Sequence, residues 1–202
     1  MNGRIGLCTS WLALTLAACS IGRPIPQATT YIIDPPIEPS SASTSRRADM
    51  LRIGSVRVAA TYAGSALVYR LDDVRYVTDP YHAFAADPGA MLDGRLSEWL
   101  ARIGPFTHVV ASGSTPPAPF VLEVSVEDLY GDFRQATEPA AVMSIRFILI
   151  NVGGPHQEVA YDRLIERRVP LSRASPDALV RGYGTAVAQI LLQLATELRV
   201  QL

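Results

Sequence analysis

The sequence predicts an α+β domain, a two-layer sandwich in which two amphipathic helices cover one face of a mostly antiparallel sheet. Three observations predict it. Met91 to Ile103 and Leu179 to Leu198 carry apolar residues every three or four positions, the period of a helix with one buried stripe. The remaining apolar runs are short, rich in Val, Ile, Phe and Tyr, and separated by Gly, Pro and Asp. Their order is strands, helix, four strands, helix.

Thr29 to Ile33 is a β-branched run suited to a first, edge strand, and the prolines at 35, 36 and 39 lead into a polar stretch from Ser40 to Arg47. The folded body resumes near Met50, with Leu51, Ile53, Val56 and Val58 marking a strand. Ala66 to Leu71 and Val74 to Thr78 flank Asp72-Asp73, which reads as a two-residue hairpin turn. Asp87-Pro88 supplies a cap and a first-turn proline, and Gly104-Pro105 closes that helix. Phe106 to Ala111 reads as a strand, and Ser112 to Pro119 as a proline-rich loop. Phe120 to Asp128 alternates apolar with polar residues, as an antiparallel strand does when one side is wet. Ala140 to Val152 and Glu158 to Val169 are two further strands joined at Gly153-Gly154-Pro155. Ser175-Pro176 starts the last helix.

Ahead of this body lies an export signal. Arg4 and the amino terminus give a positive start, Leu7 to Ala17 is apolar, and small residues follow. That run is shorter than the roughly 20 residues a membrane span needs. Leu16-Ala17-Ala18-Cys19 has the form of a lipobox, a large aliphatic residue and two small ones before a cysteine that receives a diacylglycerol. The alternative is an ordinary secretory signal with an unrelated cysteine just past its cut. Cysteine arithmetic favours lipidation of Cys19: Cys8 leaves with the signal, and a lone exported cysteine has no disulfide partner. Ser20, where aspartate would resemble an inner-membrane retention signal, points to the outer membrane. The expected organisation is a signal peptide over 1–18, a lipidated tether over 19–48 and a periplasmic domain over 49–202.

Composition bounds the rest. A net charge of −1 with 49% apolar residues describes a globular chain, and charges of both signs are scattered, so no nucleic-acid partner is expected. All 18 basic residues are arginine. Arginine suits phosphate recognition, although a GC-rich genome accounts for the bias more simply.

A search for chemistry yields no catalytic residue, cofactor or metal site. His82, His108 and His156 lie on separate segments without ligand spacing. Gly64-Ser65 and Gly113-Ser114 lack the frame of a nucleophile elbow, and Gly182-Tyr183-Gly184 lies inside a helix pattern rather than after a strand. Glu123 and Glu127 share a strand face, but a solvated face explains them. One cluster stands apart. Tyr69, Arg70, Tyr76, Tyr81 and His82 gather aromatic and polar groups before the first helix. Such residues dominate contact energies at interfaces, and the rings serve equally well in a core. In the interface reading Arg70 offers a forked donor, and hairpin pairing brings Tyr69 near Tyr76.

The same stretch resembles the ABC-type transport auxiliary lipoprotein family. Leu67-Val68-Tyr69-Arg70, Tyr76, Tyr81-His82-Ala83-Phe84 and Asp87-Pro88 carry the resemblance, with Leu92, Leu96, Leu100, Phe106 and Val109-Val110 after them. Phe84 stands where that family usually has tryptophan. The similarity runs from about Tyr31 to Leu198. It implies a non-enzymatic periplasmic subunit held to the outer membrane by acyl chains, with an MCE-domain (mammalian-cell-entry) protein of an ABC transport system as partner and phospholipids or other hydrophobic molecules as cargo. It brings no catalytic residues and leaves a homo-oligomer open. Two other classes compete: a periplasmic lipid-binding carrier and an assembly factor for an outer-membrane complex.

Overall fold

A computed structural model describes residues 27–36, 47–114 and 116–202. The signal peptide, the lipobox and Cys19 lie outside these residues. Eight strands, β1 (Thr29–Tyr31), β2 (Arg47–Val58), β3 (Ala66–Arg70), β4 (Tyr76–Phe84), β5 (Phe106–Val110), β6 (Phe120–Asp132), β7 (Ala140–Asn151) and β8 (Glu158–Pro170), form one sheet. Helix α1 (Pro88–Ile103) lies between β4 and β5, and α2 (Pro176–Gln201) ends the chain. The helix boundaries follow the sequence signals. Asp87 accepts a hydrogen bond from the Ala90 amide and Ser175 accepts one from the Ala178 amide, each followed by proline in the first turn.

The sheet is mixed, which corrects the expected mostly antiparallel arrangement. Three pairs are antiparallel, β3–β4, β6–β7 and β7–β8. Four are parallel, β1–β4, β2–β5, β2–β6 and β3–β6. The antiparallel pairs join strands adjacent in sequence, where a turn signal is visible. The parallel pairs join distant strands through crossovers, and local alternation carries no trace of them.

β6 organises this sheet. One edge pairs along its whole length with β7, while the other is shared, β2 taking Phe120 to Val126 and β3 taking Gly131 and Asp132. A bulge between Val126 and Asp128 shifts the alternation. Phe120, Leu122, Val124 and Val126 face the helices before it, and Leu129 and Gly131 do so after it. β6 is a central strand, and its face away from the helices carries the partly exposed Glu123 and Ser125 and the exposed Glu127, as the alternation predicts. Among its polar residues, Glu123 accepts a hydrogen bond from the Ser55 hydroxyl at 2.9 Å.

Both helices pack on one face, α1 against β2 and β5, α2 against β7 and β8. Leu96, Leu100, Phe147, Leu149, Ile190, Leu191 and Leu194 are fully buried between the layers. Close approach fixes where α2 lies. A Cβ at Gly182 would stand 2.7 Å from the Ala141 side chain, and one at Gly184 would stand 2.8 Å from the Asp34 carbonyl oxygen. The Gly-Tyr-Gly sequence thus seats α2 on β7 on one side and under the segment following β1 on the other.

One buried charge locks the end of β6. Asp132, 2% exposed, accepts 2.9 Å bonds from Arg134 Nε and Nη2, and a further bond from Arg168 on β8. These bonds, the Arg134 pair first, overcome the cost of burial and hold the carboxyl well below the usual carboxylate range.

Leu96→Ala and Leu191→Ala should each lower stability by about 2–5 kcal/mol in denaturant titrations. Near-zero change would overturn the two-layer packing. Asp132→Asn should cost about 2–3 kcal/mol at neutral pH, as expected for lost charge-assisted hydrogen bonds. Because the folded carboxyl titrates below its unfolded value, near 3.9, its contribution is present above that pH and lost as pH falls below it. Urea titrations should therefore separate wild type from Asp132→Asn most widely at pH 7. The gap should narrow as pH falls below the unfolded value, with much of it still present at pH 3, because the folded carboxyl titrates lower still.

Candidate functional site

The five residues singled out from the sequence all lie on the β3–β4 hairpin, but the hairpin divides them between its faces. Arg70 pairs with Tyr76 and Tyr69 with Val77, so Tyr69 and Tyr76 project to opposite sides. The turn is also longer than two residues. The Leu71 amide bonds the Arg75 carbonyl at 2.9 Å, and Asp72 Oδ1 accepts from the amides of Val74 (3.0 Å) and Arg75 (2.7 Å). A side-chain acceptor that satisfies two amides makes this wider turn favourable.

On the face away from the helices, Arg70 is turned into the hairpin rather than out to a partner. Its Nε and Nη2 donate to the carbonyls of Asp72 and Asp73, each at 3.1 Å. Its guanidinium lies 5.6 Å from the centre of the Tyr76 ring. Tyr76 meets Tyr130 edge-on at 5.5 Å, and Tyr130 stacks with Tyr62 at 6.0 Å. Asp128 ends the row, accepting from Tyr62 Oη at 3.4 Å and Ser144 Oγ at 2.6 Å. Burial first, then the Asp128 charge, pushes the Tyr62 hydroxyl well above its ordinary value.

On the helix-facing side the centre is Asp79, which the sequence did not single out. Its Oδ2 accepts from Tyr69 Oη at 2.6 Å and contacts His82 Nδ1 at 2.8 Å. Its Oδ1 accepts from the amides of Tyr81 (2.8 Å) and His82 (3.0 Å). Burial raises the Asp79 carboxyl, but these bonds together outweigh it and leave the group below its ordinary range. Tyr69 stacks on Phe133 at 5.1 Å, and the ring of Tyr31 on β1 lies 6.1 Å from His82. Burial raises the Tyr31 hydroxyl, and Asp177 at the start of α2 raises it further.

Tyr81 is the most exposed of the five. It is 44% exposed and its ring stays on the surface of β4. Tyr130 escaped sequence reading because it lies beyond the bulge, where the alternation has changed sides. Asp79-Pro80 carried a turn signal inside a strand run, and that signal was available. The described residues hold no group of three or more His, Cys, Asp or Glu side chains arranged for a metal ion. No described helix is long and apolar enough to cross a membrane.

Comparison with known proteins agrees with this architecture. The fold is similar to a crystal structure of a protein from Xanthomonas campestris, at 15% identity and a TM-score of 0.70, covering 87% of this chain and 94% of that one. It is also similar to a crystal structure of an uncharacterized protein, at 20% identity and a TM-score of 0.65, covering 85% and 98%. A hypothetical protein from Chlamydia trachomatis has 12% identity and a TM-score of 0.51, covering 77% and 96%. At these identities the likeness is one of fold. No curated protein matches the sequence. The model of the ABC-type transport auxiliary lipoprotein component matches residues 31–195, from the last residue of β1 to deep within α2. The chain belongs to the family of ABC-type transport auxiliary lipoprotein components.

Proposed function

We propose that this chain is a non-enzymatic, lipid-anchored auxiliary subunit of an ABC/MCE-type envelope transport system for phospholipids or other hydrophobic substrates, tying the periplasmic assembly to the outer membrane. The observation that carries this reading is the extent of the family match, which takes in nearly all of the folded domain. The lipobox at Leu16 to Cys19 supports the anchor. The filled interior favours docking over the lipid-carrier alternative, because Leu96, Leu100, Ile190, Leu191 and Leu194 occupy the space an acyl chain would need.

Among the hairpin residues, Tyr81 is the best suited to a partner: it is exposed, aromatic and held on a strand whose backbone Asp79 fixes. Arg70 acts on the partner surface through the shape of the turn. Tyr69 and His82 act through Asp79, and Tyr76 through its packing on Tyr130.

Cys19→Ala should abolish palmitate labelling and either release the protein from membranes or trap its precursor. Unchanged labelling would remove the anchor from this account. Tyr81→Ala should weaken co-purification with an MCE-domain partner by about tenfold or more, the loss expected for an interface hot spot, with the melting temperature unmoved. Arg70→Ala should lower the melting temperature, because two turn carbonyls lose their donor. Full binding by Tyr81→Ala would exclude this face of β4 as the docking surface.

A further inference from the structure

We propose that the tip of the β3–β4 hairpin is a second membrane contact, with Val74 entering the headgroup region of the bilayer that holds the acyl chains of Cys19. The inference rests on the lipidation proposed above.

Chain direction makes the first argument. β1 runs parallel to β4, Thr29 opposite His82 and Tyr31 opposite Phe84. β1 is therefore entered from the side that leads back along β4 towards Tyr76 and the turn. Nine residues lie between Cys19 and Thr29, and an extended chain joining the two reaches at most about 35 Å. The anchoring bilayer must lie within that distance of Thr29, which stands opposite His82, six residues along β4 from Tyr76.

What the hairpin shows at that end makes the second argument. Val74 is 89% exposed at the turn, and Tyr76 and Val77, which follow on opposite faces of β4, are 37% and 36% exposed. Apolar side chains beside tyrosine and arginine suit the interface between headgroups and acyl chains, where one end of each residue is dry and the other wet.

The turn is also built to leave water at low cost. The amides of Val74 and Arg75 are satisfied by Asp72, and the carbonyls of Asp72 and Asp73 by Arg70. Asp72 is paired with Arg75 at 3.2 Å and Asp73 with Arg134 at 3.1 Å. Four backbone groups of the turn and both of its carboxylates thus already have partners in the protein, which lowers the polar demand the tip carries into the headgroups. A single valine adds little to the hold of acyl chains. Its effect is to fix which end of the domain faces the membrane.

The test uses the full-length lipidated protein reconstituted in vesicles of phosphatidylethanolamine and phosphatidylglycerol carrying brominated acyl chains. Val74→Trp is compared with Val200→Trp. Val200 is 86% exposed and sits near the far end of α2, a helix of 26 residues and so about 39 Å long. Both variants share the affinity of tryptophan for interfaces, and the buried Trp99 gives a common background. The Val74→Trp signal should shift to the blue and be quenched about twofold or more relative to Val200→Trp, as membrane insertion requires. Equal quenching of the two variants in protein that floats with the vesicles would overturn the contact and leave the anchor standing. A blue shift that arises only when an MCE-domain partner is added, without bromine quenching, would assign the tip to that protein and also overturn the contact. Protein that neither floats nor carries acyl mass would overturn the anchor and this contact together.

Discussion

The shared edge of β6 is the constraint on which the rest of this structure depends. A strand of 13 residues is longer than any single neighbour on that edge, so β2 and β3 divide it between them. The division works only because the bulge after Val126 lets both halves bury the correct face. A strict alternation would turn Leu129 outward and aim Tyr130 at α2. With the bulge, Gly131 meets Leu179 of α2, where an added Cβ would stand 2.9 Å from Cδ2, and Tyr130 packs with Tyr62 and Tyr76 on the other face.

The position of the hairpin follows from that division. β3 joins β6 only at Tyr69 opposite Gly131 and Arg70 opposite Asp132, so β3 and β4 hang from the last two residues of β6. So short a ladder needs a brace. Arg134 provides it, bonded to Asp132 inside and to Asp73 on the turn. Asp79 does similar work further along β4, gathering Tyr69, His82 and two backbone amides around one carboxylate. The segment after β1 is seated on Gly184 of α2, where an added Cβ would stand 2.8 Å from the Asp34 carbonyl oxygen. The hairpin and β1 are thereby set relative to one another by the same sheet and helix.

Much of this was legible in the sequence, and the exceptions have a common cause. Both helices could be read from their stripes and from the Asp87-Pro88 and Ser175-Pro176 caps, because a helix is stabilised by contacts three and four residues apart. The hairpins were legible for the same reason. Parallel pairing was not, since β2 meets β6 across α1 and β5, and no local pattern records it. The candidate cluster was located but not resolved. Tyr69 and Tyr76 read as neighbours because a two-residue turn would have brought them together, whereas the Asp72 side chain bonds widen the turn and place Arg70 opposite Tyr76. Arg70 looked like a free donor, but the carbonyls it satisfies belong to that wider turn. Asp79 lies just past the Val74 to Thr78 run read from the sequence, and only the fold shows four donors converging on it.

In the proposed arrangement the partner docks against the β4 surface at Tyr81, on a domain that acyl chains on Cys19 would hold at the membrane. Photocrosslinking in intact cells tests that arrangement most directly, with a photoreactive residue at position 81 and, for comparison, at Leu164, which is exposed on the edge strand β8. The account predicts a crosslink to the MCE-domain protein from position 81 and none from position 164. A crosslink from position 164 alone would put the partner on the opposite edge of the sheet and contradict it.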